Sequence, residues 1–250
     1  FVLRAYGPSQ YVVHVPTEIE ALEMAFAQYG EKLTCFLVEP LLQGAGGMRM
    51  YGSSFLKRAR ELCNQYGVLL IFDEVATGFG RTGHRFAADL VRPDLLVLSK
   101  ALTGGYIGHA VTVANRKVYE AFYDDAPDHA LMHGPTFMGN ALACAAALKS
   151  IQLFESQDYL SKIRRIEEIT QRELADLTDP RIQEVRIMGG CACVEVKDPA
   201  TLQGWQQFAY QQGVFNRPFL NYMYTMVPYI ISEEELTQVL RTMKAWFTNS

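Results

Sequence analysis

The sequence has little surplus charge of either sign. Asp and Glu number 27 against 23 Lys and Arg, a net charge of −4 over 250 residues. No face is flooded with Lys or Arg, which argues against nucleic acid and anionic membrane as partners. No apolar stretch approaches the length of a membrane span, and the N-terminus lacks the basic-then-apolar pattern of a signal peptide. Cysteines are few, five in all, at unrelated spacings. That fits reduced thiols in the cytoplasm better than a disulfide framework. Cys191-Ala-Cys193 is the one close pair. It lies in an apolar run with no second Cys or His cluster nearby, so it reads as packing rather than zinc ligation. His14, His84, His109 and His129 have no partnered spacing, and no metal is expected. The glycine fingerprints of dinucleotide and P-loop sites are missing too. "GAGG" (Gly44 to Gly47) completes neither and reads as a tight turn, which disfavours a dehydrogenase.

What is present is an ordinary globular composition, 49% apolar and 20% charged. The chain begins at Phe1 without Met and enters a strand-like "YVVHVP" (Tyr11 to Pro16), so it reads as a piece of a longer protein. Apolar runs then alternate with helical patterns. "LTCFLVE" (Leu33 to Glu39), "VLLIFDE" (Val68 to Glu74) and "LLVLS" (Leu95 to Ser99) are strand-type runs, and "HAVTVAN" (His109 to Asn115) is a possible fourth. Between the first two, "GSSFLKRARELCNQYG" predicts a helix capped by Ser53 or Ser54 and ended by Gly67. Continuous apolar runs separated by helices suggest parallel strands buried on both faces, an α/β layer. An Ala-rich helix follows at Gly139 to Glu155, small enough in its side chains to pack close to a sheet. After that the texture changes. A charged amphipathic helix, strand-like "RIQEVRIMGGCACVEV" and "GVFNRPF", a helix near Leu202 to Gln212 and a last helix capped by Ser232 suggest a smaller α+β domain. The expected division is a large domain over residues 1–155 and a small one over 156–250.

In open parallel α/β sheets, ligands sit beyond the carboxyl ends of the strands. Three such ends carry functional groups: Glu39 after "CFLV", Asp73 and Glu74 after "VLLIF", and Lys100 after "LLVLS". Parallel strands would bring all three to one edge. A lysine and an acid there suit a pyridoxal phosphate site. The amine can form a Schiff base with the cofactor aldehyde, and a carboxylate can keep the pyridine nitrogen protonated. Singly, Asp73 could equally be a loop acid and Lys100 a surface lysine. Their joint placement on successive strands favours the site.

"FLVEPLLQGAGGMRMY", "LLIFDEVATGFGRTG", "SKALTGG" and "HGPTFMGNALACAAAL" resemble, in order, the motifs of class III pyridoxal phosphate-dependent aminotransferases. The resemblance runs from about Cys35 to the C-terminus. It implies a fold type I transferase in which part of the large domain is missing. It implies that Lys100 is the Schiff-base lysine and proton carrier, that Asp73 pairs with the pyridinium nitrogen and that Val75 packs on the ring. Glu39 would sit near the ring edge. Thr136 would bind the phosphate, with Gly134 and Pro135 shaping its turn. In this fold that threonine typically reaches the neighbouring subunit's cofactor, which implies a homodimer. Arg217 would hold a substrate carboxylate in a two-pronged contact, beside Tyr224. His133, ahead of the phosphate turn, is read as structural.

Within the class, "GAGGMRMY", "KALTGG", "MHGPTFMGN" and "RPF…PYII" are most similar to members that take S-adenosylmethionine as amino donor and 8-amino-7-oxononanoate as acceptor. The product would be 7,8-diaminononanoate, for biotin biosynthesis. Two alternatives stay open. One is a class III transaminase acting on an ω-amino acid or diamine. The other is a non-catalytic fragment unable to hold cofactor. Tyr106, where the family frequently has a third glycine after the lysine, departs from the pattern. The family's N-terminal part, with a Gly-Ser phosphate turn and a ring-stacking aromatic, has no counterpart here, which leaves open whether the 250 residues act by themselves.

Overall fold

The computed structural model describes residues 12–248. It forms two compact units. One comprises residues 12–45, 51–79 and 86–156; the other comprises residues 46–50, 80–85 and 157–248.

The first unit is built on a four-stranded sheet. Strands β1 (Cys35–Val38), β2 (Leu69–Asp73), β3 (Leu95–Leu98) and β4 (Val111–Ala114) lie in that order. β1, β2 and β3 are parallel, with Val38 opposite Phe72 and Asp73 opposite Val97. β4 runs antiparallel to β3, with Leu98 opposite Val111. The physical reason is the connection. Leu98 to Val111 is bridged by a short helical turn and paired glycines, with no helix long enough to carry the chain back for a parallel strand.

Helix α1 (Ile19–Tyr29) buries Leu22 and Phe26, four residues apart on one face. Helix α2 (Ser53–Tyr66) buries Phe55, Leu56, Ala59, Leu62 and Cys63. Phe36 of β1 meets both, with ring centroids 6.0 Å from Phe26 and 6.3 Å from Phe55. Leu37, one residue on and facing the other way, stays 51% exposed, so this edge of the sheet is not covered on both faces. Gly52, not Ser53 or Ser54, is the N-cap of α2, and no side chain caps that end. Gly67 ends the helix in the left-handed region at φ 70°, where a glycine carries no side-chain penalty.

After β4 come a short helix α3 (Arg116–Glu120) and then the Ala-rich α4 (Ala141–Ser156). α4 packs against the turn at Lys100–Thr103. Its Ala147 joins Leu98, Leu102 and Phe79 in one apolar cluster, with Ile151 and Phe154 alongside. Residues 121–142 are exposed throughout.

The second unit has an antiparallel sheet, β5 (Ile182–Met188), β6 (Cys191–Val196) and β7 (Tyr222–Thr225). "RIQEVRIMGGCACVEV" is thus a hairpin rather than one strand. Gly189 turns at φ 53°, and a Cβ there would lie 2.5 Å from the Arg81 carbonyl oxygen. "GVFNRPF" is not a strand. The chain between Val214 and Pro218 has no regular structure, Phe219 makes only an isolated bridge to Tyr222, and the strand begins at Tyr222. Helices α5 (Tyr159–Leu174), α6 (Trp205–Gln211) and α7 (Glu233–Thr248) cover the sheet around a core of Trp205, Met223, Val194 and Leu240. Ser232 and Glu235 cap α7 reciprocally: Glu235 N donates to Ser232 Oγ at 3.1 Å and Ser232 N to Glu235 Oε2 at 2.9 Å. Of "YVVHVP", Tyr11 lies outside the described residues, and Val12 makes only an isolated bridge.

Candidate active site

Three consecutive parallel strands end at one edge of the first unit's sheet. The register puts Glu39, one residue beyond Val38, level with Asp73 at the end of β2. Lys100 stands three residues beyond Val97, the partner of Asp73. An amine and two carboxylates therefore share this edge.

Glu39 senses both neighbours. Burial holds its carboxyl above the usual range, the Gly44 N–H pulls it back, Asp73 pushes it up and Lys100 draws it down. Gly44 N donates to Glu39 Oε1 at 3.4 Å, and Tyr51 Oη donates to the Glu39 carbonyl at 2.5 Å. Burial in turn drives the Tyr51 hydroxyl far above its ordinary value.

Asp73 is half-buried, and its Oδ1 accepts the Val75 N–H at 3.1 Å. That bond folds the chain sharply after the strand, a turn which short acidic side chains favour. Val75 is half-buried directly beyond it. Glu74 faces away and is only 1% exposed. Its two carboxylate oxygens accept the N–H groups of Ala87 and Ala88, each at 3.0 Å. Burial raises the Glu74 pKa to about 7, against the pull of those two bonds. Sequence reasoning placed Glu74 at the edge but gave it no role. Its partners are backbone groups 13 and 14 residues away, which no side-chain pattern marks.

Lys100 is exposed, and its side-chain amine makes no hydrogen bond or ion pair with another described residue. Its backbone is unusual, with φ 41° in the left-handed region. The turn around it is held by Leu102 N to Ser99 O at 2.9 Å and Ser99 Oγ to His109 O at 2.7 Å. Non-glycine residues adopt such a conformation uncommonly and at a cost, which the surrounding bonds offset here.

Gly134, Pro135 and Thr136 lie in the exposed 121–142 stretch. Met138 N donates to the Pro135 carbonyl at 2.8 Å, closing a turn over Thr136. Thr136 makes no hydrogen bond with another described residue, and neither does His133. Gly139 then turns at φ 70°, and Asn140 Oδ1 accepts the Ala143 N–H at 3.1 Å to start α4.

Arg217 and Tyr224 belong to the second unit. Arg217 is exposed, and Tyr224 is half-buried on β7 opposite Cys193. The residue before Arg217 is fixed: Asn216 Oδ1 accepts Trp205 Nε1–H at 2.8 Å, and Asn216 Nδ2 donates to the Tyr224 carbonyl at 2.8 Å. This anchor was not foreseen either. The structure thus brings Glu39, Asp73 and Lys100 to one edge, and ties Arg217 to Tyr224 through Asn216.

A model of the aminotransferase class-III family matches residues 9–247. The adenosylmethionine-8-amino-7-oxononanoate aminotransferase of Mycobacterium leprae is 40% identical over 231 residues, covering 91% of this chain and 53% of that protein. The chain spans about half the length of the curated relatives it matches. Among solved structures, the adenosylmethionine-8-amino-7-oxononanoate aminotransferase of Methanocaldococcus jannaschii superposes with a TM-score of 0.87 at 26% identity, over 94% of this chain and 59% of that one. An ornithine aminotransferase of Toxoplasma gondii, whose active site holds PLP at partial occupancy, gives 0.83 at 30% identity, over 98% and 57%. The sheet and the smaller unit match in part the fold type I architecture expected from the sequence. With the match extending over nearly all of its length, the chain belongs to the class III aminotransferases.

Proposed function

We propose that this chain carries the lysine half of a transaminase site that moves an amino group from S-adenosylmethionine to 8-amino-7-oxononanoate, giving 7,8-diaminononanoate for biotin biosynthesis. The observation that carries the reading is the edge shared by Lys100, Asp73 and Glu39. The donor set fits pyridoxal 5′-phosphate: an exposed amine without a partner suits its aldehyde, and a carboxylate on the neighbouring strand suits its ring nitrogen. When bound, the cofactor supplies an electron sink for the substrate carbanion.

The chain's own residues do the rest. Lys100 would hold the aldehyde carbon and, once released, move a proton at the substrate α-carbon. Asp73 would keep the ring nitrogen protonated, and Val75 would pack on the ring face. Glu39 would lie near the ring edge. The turn of Gly134, Pro135 and Thr136 would present the threonine hydroxyl and N–H to a phosphate. Arg217 would grip the substrate carboxylate through two N–H groups, near Tyr224.

A homodimer follows from the same reading. Thr136 is flanked by Met132, Phe137, Met138 and Leu142, which are 67–92% exposed. Apolar side chains so exposed around a ligand turn suit a second copy of the chain, with Thr136 serving the neighbour's cofactor. The substrates and cofactor are small molecules. Among the described residues no helix is long and apolar enough to cross a membrane, and all five cysteines are free. A reducing cytoplasm suits those thiols.

The test is spectroscopic. The complete protein mixed with pyridoxal 5′-phosphate should develop the visible absorption band of a lysine-bound cofactor, and Lys100→Ala should abolish it. Absence of the band in the complete protein would sink the reading. S-adenosylmethionine should then discharge the band; discharge by ornithine or β-alanine instead would favour an ω-amino acid or diamine transaminase.

A further inference from the structure

Lys100 combines a strained backbone with a free side chain. Its φ of 41° lies where a Cβ crowds the following carbonyl. Its amine bonds no other described residue, so the backbone fixes only the Cα–Cβ direction from which the side chain extends. Most of the braces on that backbone come from within the same loop. Besides the bonds of Ser99, Gly104 N donates to Ala101 O at 3.0 Å and Thr103 Oγ1 to Ile107 O at 2.6 Å. One brace comes from elsewhere. Ser150 Oγ, on α4, donates to the Ala101 carbonyl at 3.0 Å across 49 residues of sequence. The same hydroxyl would lie 3.6 Å from a Cβ on Gly104, so it sits over the turn as a whole. A helical serine commonly bonds the carbonyl four residues back in its own helix. Ser150 instead directs its hydrogen at the residue after Lys100. Leu102 and Ala147, buried in one cluster, fix the helix and the turn against each other.

We propose that Ser150 is a positioning residue for Lys100: together with Gly104 N it pins the Ala101 carbonyl, which holds the turn that carries the lysine in its left-handed conformation and so sets the direction in which the side chain leaves the backbone. This rests on the reading of Lys100 as the cofactor lysine. Without the pin, the Ala101 carbonyl keeps only the bond from Gly104 N, the turn loosens, and Lys100 can relax toward the ordinary right-handed region, so that its side chain leaves the backbone in another direction while staying just as exposed.

The experiment compares wild type, Ser150→Ala, Ser150→Thr and Lys100→Ala in the complete protein. Two rates are read. One is the growth of the lysine-bound absorption band on adding pyridoxal 5′-phosphate. The other is acetylation of Lys100 by acetic anhydride without cofactor, followed by peptide mass spectrometry. Loss of one hydrogen bond and the release of the turn should slow cofactor capture about five- to tenfold in Ser150→Ala. Acetylation should be unchanged, and Ser150→Thr, which keeps the hydroxyl, should recover capture to within about twofold of wild type. Capture by Ser150→Ala at the wild-type rate overturns the proposal. So does a fall matched by an equal fall in acetylation, because the amine's exposure and not its aim would then have changed. Persistence of the band in Lys100→Ala would remove the underlying reading of Lys100 instead.

Discussion

Glu74 Oε2 accepts the Ala87 N–H at 3.0 Å, and the other carboxylate oxygen accepts that of Ala88 at the same distance. One side chain thus anchors the start of a separate helical turn to the residue beside Asp73. The anchor is buried, and an ionised carboxylate there is costly.

That cost makes stability depend on pH in a defined direction. The folded pKa of Glu74, about 7, lies above the unfolded value of about 4.3. Its contribution is therefore complete below the unfolded value and is lost as pH rises through 7. Urea unfolding of wild type and Glu74→Gln between pH 4 and 8 should show the wild type losing up to about 3 kcal/mol relative to the variant. A constant difference between the two across that range would contradict the assignment.

The ends of β2 and β3 were legible because continuous apolar runs stop there at polar or charged residues. Gly67 and Ser232 were legible because chemistry local to a helix end marks them. Other features depend on partners remote in sequence. The direction of β4 follows from the absence of a crossover helix, which a strand pattern does not show. α1 was missed because only Leu22 and Phe26 of its eleven residues are buried. "GVFNRPF" has the apolar texture of a strand, yet Asn216 ties it to Trp205 and Tyr224 by side-chain bonds in place of a ladder. Ser150 reads as one small residue in an Ala-rich helix until its bond to Ala101 is seen.

Leu220 sits at φ 52° in a two-residue turn, closed by Phe219 N to Tyr222 O at 2.9 Å and Tyr222 N to Phe219 O at 2.8 Å. Its side chain is 68% exposed, so little packing compensates the left-handed conformation. That conformation costs a residue with a Cβ about 1–2 kcal/mol, and glycine's extra unfolded-state entropy returns about 0.5–1 kcal/mol of the gain. Leu220→Gly should therefore stabilise the protein by about 0.5–1 kcal/mol. Leu220→Ala should leave stability nearly unchanged. Equal thermal midpoints for glycine and alanine would refute the strain.

Asn216 offers a test that links stability to the proposed substrate contact. Asn216→Ala strands two groups at once, the indole N–H of fully buried Trp205 and the Tyr224 carbonyl. Each unsatisfied group costs about 1–3 kcal/mol, so the variant should lose about 2–4 kcal/mol. Asn216→Asp is more discriminating. Its carboxylate still accepts from Trp205 but cannot donate to the Tyr224 carbonyl. A protonated carboxyl can do both. The aspartate variant should thus be weak at pH 7 and recover as the pH falls toward 4, in chemical denaturation referenced to wild type at each pH. Because Asn216 precedes Arg217 directly, loosening it should raise the KM for a carboxylate substrate more than it lowers kcat. A variant that loses stability with KM unchanged would confine Asn216 to the fold and separate it from the grip of Arg217.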